Sequence, residues 1–174
     1  MNINASILKF VLIAGISLIC VCTAYSCKTN PIINDDMGNI KNFRFTYSVG
    51  YSAYANYVYE LKKEDNGKYK AMYKKAGVPN DEITVFTVDS ATAQNLKNLL
   101  IENNILKWNG FKETDKNVLD GNDFYFSVTF EDGKNYNAGG YEAYPKGYSE
   151  GKKAIVEFYN EIMKEKRIKP VEPS

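Results

Sequence analysis

The chain has 174 residues, 22 Lys and Arg against 21 Asp and Glu, a formal net charge of +1, and no histidine. Such a balance argues against a nucleic-acid-binding face. Without histidine, neither a Ser-His-Asp or Cys-His nucleophile system nor a His-based zinc site can be assembled.

The first feature along the chain is an export signal. Lys9 follows a short polar start, Phe10–Cys22 is almost wholly apolar, and Ala24-Tyr25-Ser26 leads to Cys27. As a helix the apolar run would measure about 20 Å, short of the roughly 30 Å hydrocarbon core of a bilayer. The layout is that of a cleaved secretory signal peptide. Ala24-x-Ser26 suits an ordinary signal peptidase. A cut at the same bond also resembles the processing of a bacterial lipoprotein, in which Cys27 takes acyl chains such as palmitate and becomes the N-terminus. Lipoprotein signals usually carry Leu three residues before the cysteine and a small residue two before it. Here those places hold Ala24 and Tyr25, so soluble secretion and an uncleaved anchor are the alternatives. Cys20 and Cys22 fall in the removed segment. Cys27 is then the lone cysteine, no internal disulfide can form, and lipidation gives it a role. The expected organisation is a signal peptide over 1–26, a lipidated N-terminus and flexible tether over 27–42, one domain over 43–169, and a tail over 170–174. Removing residues 1–26 takes away one lysine and no acid, which brings the formal charge to zero.

From Phe43 apolar and polar residues alternate, with Phe43, Phe45, Tyr47, Val49 and Tyr51 in one phase. That period predicts a half-buried strand. Ser52–Asn56 should turn the chain into a second strand over 57–63. Asn66-Gly67 predicts a tight hairpin and a return strand over Tyr69–Lys75. Gly77-Val78-Pro79-Asn80 breaks it, and Glu82–Val88 reads as a fourth strand. Asp89 or Ser90 can cap a helix whose stripe is Ala93, Leu96, Leu99, Leu100 and Asn103, running to about Asn104. Residues 112–121 read as a loop. Phe124, Phe126, Val128 and Phe130 form the buried phase of the clearest strand. Glu131-Asp132-Gly133-Lys134 is a second hairpin turn, and Tyr136 and Ala138 continue the buried face. Gly139–Tyr148 reads as an aromatic, glycine-rich connection. Ser149 should cap a last helix, near 150–166, with its apolar stripe at Ala154, Ile155, Phe158, Tyr159, Ile162 and Met163. The order β-β-β-β-α-β-β-α predicts an α+β fold, an antiparallel sheet with both helices packed on one face.

Gly147 to Lys153 is one residue short of a phosphate loop and has lysine where the magnesium-holding Ser or Thr belongs. Asp115, Asp120, Asp123, Glu131 and Asp132 lack calcium-loop spacing and read as turn chemistry. No catalytic, metal-binding or cofactor-binding set is assigned. Trp108, Tyr141, Tyr144 and Tyr148 are the candidate ligand contacts, because aromatics on loops suit sugar- or peptide-binding surfaces. Packing of that loop against the core is the competing explanation.

Trp108-Asn109-Gly110, Leu119-Asp120-Gly121, Asp132-Gly133-Lys134, Gly139-Gly140 and Tyr144-Pro145, ahead of a terminal helix, resemble small bacterial lipoprotein domains that share an LDG…DGK…G…YP pattern. The resemblance covers residues 108–163 and implies no activity. The expectation is therefore a domain in the cell envelope, anchored to a membrane through Cys27 and facing outside the cytoplasm. It would bind a protein or saccharide, or serve the envelope structurally. A small hydrolase using paired carboxylates is the alternative from another class.

Overall fold

A computed structural model of the chain describes residues 37–49, 55–77 and 82–168. The predicted signal segment, Cys27 and Tyr51 lie outside them. The strands are β1 (Ile40–Val49), β2 (Ala55–Lys63), β3 (Tyr69–Ala76), β4 (Glu82–Val88), β5 (Lys112–Thr114), β6 (Asp123–Phe130) and β7 (Asn135–Tyr141). The helices are α1 (Ser90–Glu102) and α2 (Tyr148–Glu165), with a 3-10 turn at Ile105–Trp108. One sheet runs β4-β3-β2-β1-β6-β7-β5, antiparallel except for the β5–β7 pair. This is the expected α+β fold, and both helices bury their apolar stripes in the core of the sheet's inner face.

The alternation of the strands sets that core. Cross-strand register aligns Tyr73, Tyr59, Phe45, Phe126 and Ala138 in one inward row. Tyr57, Tyr47, Phe124 and Gly140 form the next row. Phe124, Phe126, Val128 and Phe130 are all buried, in the phase the sequence predicts. The outward rows carry Arg44, Thr46, Glu60, Lys62, Lys70 and Lys74 together with Val58, Met72, Ile83 and Val85, so that side of the sheet is mixed in polarity and uncovered by the helices.

Several boundaries move, each for a physical reason. The domain starts before Phe43: Met37 and Ile40 are buried. Tyr136 donates from its hydroxyl to Met37 Sδ at 3.6 Å, and the Glu131 N–H donates to the Asn39 carbonyl at 2.9 Å. Lys97, only 4% exposed, donates its ammonium to the Met37 carbonyl. Asp89 caps α1 by accepting from the Thr92 N–H at 2.8 Å. Asn103 leaves the apolar stripe and caps the other end, its side chain donating to the Leu99 carbonyl at 2.9 Å. The expected loop 112–121 contains β5, and Gly139-Gly140 lies within β7 rather than in a connection. α2 starts two residues earlier than expected. Its N-cap is Gly147 at φ +77°, a conformation that costs glycine least, and not Ser149.

Phe126 is fully buried between Phe43 and Trp108. Phe126→Ala should lower the unfolding free energy by about 3–5 kcal/mol as a core truncation. Denaturant melts would check this, and an unchanged midpoint would contradict the packing.

Candidate functional site

The four candidate aromatics do not form one exposed surface. Trp108 is 2% exposed. The 3-10 turn aims its indole into the core, against Phe45, Phe124, Phe126 and Tyr148. Tyr148 opens α2 and lies 4.6 Å from both Phe124 and Tyr144. Burial pushes its hydroxyl pKa far above the usual tyrosine value. Tyr144 stacks on Tyr148 and Phe124 yet stays 39% exposed, so it alone of the three offers its ring to solvent. Tyr141 points to the other side of the sheet. Its hydroxyl accepts from the Gly121 N–H at 2.6 Å and donates to the Leu119 carbonyl at 2.9 Å.

Several of the turn and glycine residues around β5 and β7 are held by specific contacts. Asn109 Oδ1 accepts from the Asn137 N–H at 2.9 Å, and the Gly110 N–H donates to the Asn137 carbonyl at 2.8 Å. These bonds set β5 beside β7. A Cβ on Gly121 would lie 2.3 Å from Glu142 Cγ, and one on Gly140 would lie 2.1 Å from the Ala143 carbonyl oxygen. Glu142 takes φ +48° and accepts from the Asn122 side chain at 2.9 Å. The loop before β6 is thereby stitched to the end of β7.

The acidic residues are spread over turns and ion pairs. Asp115 and Asp132 accept from backbone N–H groups two residues on. Glu131 pairs with Lys63, whose ammonium holds its carboxyl below the usual range. Among the described residues no three His, Cys, Asp or Glu converge as metal ligands.

Among the described residues, two concave features combine an aromatic ring with polar groups, and periodicity signalled neither. The first is a trough of about 370 Å³ on the open side of the sheet. Gly139 forms its floor. Tyr125 stands opposite in the register, Asn137 and Tyr141 flank it on β7, and Lys112 faces it from β5. Tyr125 is 44% exposed, and its hydroxyl lies 3.4 Å from Asn137 Oδ1. The second is a cleft of about 290 Å³ where Tyr47 meets α2, lined also by Ser149, Lys152, Lys153, Val156 and Glu157. The Lys152 ammonium sits 3.8 Å from the Tyr47 ring centroid. Burial lowers the Lys152 pKa and raises that of Tyr47.

No protein-family model matches the chain, and comparison with curated proteins finds no match either.

The seating of α2 depends on Gly151. A Cβ there would lie 2.5 Å from Trp108 Cζ2, and Trp108 is hemmed in by the core. Alanine is ordinarily better than glycine inside a helix by about 1 kcal/mol. Gly151→Ala should nevertheless destabilise by about 1–3 kcal/mol through overpacking. A melting temperature that rises in the variant would contradict this close approach.

Proposed function

We propose that this chain is an exported, lipid-anchored domain of the cell envelope that binds a saccharide and carries out no covalent chemistry. The observation that carries the binding part is the Gly139 trough. A pyranose presents an apolar C–H face and a rim of hydroxyls. An exposed tyrosine ring beside a floor without side chains suits the first, and Asn137, Lys112 and Thr114 around it suit the second. Protein interfaces of lasting affinity need far more surface than one such trough, about 1,200–2,000 Å² in total.

Support for the anchor comes from Cys27, the one cysteine left after the predicted cut. Met37 is the first buried residue among those described. β1 carries the chain about 30 Å from Ile40 to Val49. Tyr125 and Gly139 fall in the half of the sheet remote from Met37, through the pairing of Tyr125 with Thr46.

Two experiments separate the parts of this reading. Cys27→Ser should move the protein from the membrane fraction to the soluble fraction. An intact mass that retains residues 1–26, or an unmodified Cys27, would overturn the anchor. For binding, the protein should be retarded in native gels cast with a soluble polysaccharide. Tyr125→Ala should abolish the retardation while changing stability by less than about 1 kcal/mol, as expected of a surface position. A wild-type protein that runs unretarded across a panel of neutral and acidic polysaccharides would overturn the saccharide reading, as would a Tyr125→Ala variant retarded like the wild type.

A further inference from the structure

We infer that the cleft between β1 and the start of α2 is a second binding site, for a small organic carboxylate that pairs with Lys152. The inference is independent of the Gly139 trough, which lies on the other side of the sheet.

The argument starts from the surroundings of one cation. The Lys152 ammonium lies 3.8 Å from the Tyr47 ring centroid, and among the described residues that ring is its one partner. Its neighbour Lys153 has Glu157 at 3.8 Å. Lys152 has given up part of its hydration for a ring quadrupole, which attracts a cation by about 0.5–2 kcal/mol and leaves its charge uncompensated. The ring is held in place in turn. It stacks on Tyr57 at 4.7 Å and 14°, and on Tyr59 at 6.2 Å and 17°. The ammonium is thus aimed by a fixed platform rather than swinging freely in water.

The remaining lining sets the class of ligand. Tyr47 and Val156 supply an apolar wall, and Ser149 supplies a hydroxyl. One anionic oxygen pair on a compact ring-sized body matches one ammonium with these walls. A doubly charged phosphate matches less well, because Lys153 is engaged and Glu157 brings negative charge to the rim. Tyr47 lies near the end of β1 remote from Met37, so the cleft opens at the end of the sheet away from the chain's N-terminal side.

The test is a titration of the full chain, purified in detergent, with benzoate, glucuronate and inorganic phosphate as separate probes, followed by NMR of the tyrosine rings. At least one of the two carboxylates should shift the Tyr47 resonances saturably, with a dissociation constant in the roughly millimolar range, and phosphate should not. Lys152→Met keeps the aliphatic stem over the ring and removes the charge. It should weaken binding by about tenfold or more, while Lys152→Arg retains it. Tyr125→Ala should also retain it, which separates this site from the trough. Tyr47 resonances unmoved by both carboxylates, or a folded Lys152→Met that binds as well as the wild type, would overturn the proposal. Phosphate binding as tightly as the carboxylates would overturn the assignment of the ligand.

Discussion

The contact between Trp108 and Gly151 is the constraint on which the rest of this fold rests. Trp108 touches β1 through Phe45 and β6 through Phe124 and Phe126, and the missing side chain of Gly151 lets α2 come down onto the indole. Two consequences follow from one placement. The 3-10 turn that delivers Trp108 runs straight into Asn109 and Gly110, which bond Asn137 and set β5 beside β7. That strand is one wall of the trough. The same contact fixes how deep α2 lies, and hence where Tyr148 and Lys152 meet β1 and β6. A shift of the indole by one atom's width would move both concave features together.

The inner face is aromatic beyond what burial alone requires, and this has a cost. The hydroxyls of Tyr69 and Tyr159 and the indole N–H of Trp108 are buried with no hydrogen-bond partner among the described residues. Each such group forfeits about 1–3 kcal/mol of hydration. Desolvation accordingly holds the Tyr59 and Tyr159 hydroxyls neutral, with pKa values far above the usual tyrosine range. The offset is the ring packing itself. Tyr47, Tyr57, Tyr59 and Phe45 make a stacked series along adjacent strands, and such pairs contribute about 0.5–1.5 kcal/mol each beyond their buried area. At the edge of the helix layer the tyrosine rings acquire a second use, as faces for the ammonium groups of Lys152 and Lys75.

Alternation made most of the sheet legible, because a one-residue slip would have turned Phe124, Phe126, Val128 and Phe130 outward. Asn66-Gly67 and Asp132-Gly133 marked hairpins through φ angles of +77° and +86° that glycine tolerates best. The misses were elements held by contacts remote in sequence. β5 is three exposed residues long and exists because Asn109 and Phe111 bond β7, so no periodicity announces it. Met37 joins the core through Lys97 and Tyr136, which lie far along the chain, so residues 37–42 read as part of a tether. Among the candidate site residues, Trp108 and Tyr141 were chosen as aromatics near a loop. Sequence could not show that one indole would turn inward and that one hydroxyl would be taken up in stitching.

That division bears on where function can reside. Asn109, Gly110, Gly121 and Gly140 are spent on turns, close approaches and the stitching of residues 119–122 to the end of β7, and the glycines with a crowded Cβ position, Gly121 and Gly140, are needed for geometry. A rigid end of the sheet is what such contacts yield, and recognition benefits when contact groups are carried on rigid elements. The side chains that face the trough and the cleft lie elsewhere on that frame. Tyr125 and Asn137 project from β6 and β7 over a bare glycine, and Lys152 projects from a helix onto a fixed ring. In this reading those turn and glycine residues encode the scaffold. The side chains that would distinguish one ligand from another occupy the strand and helix positions between them.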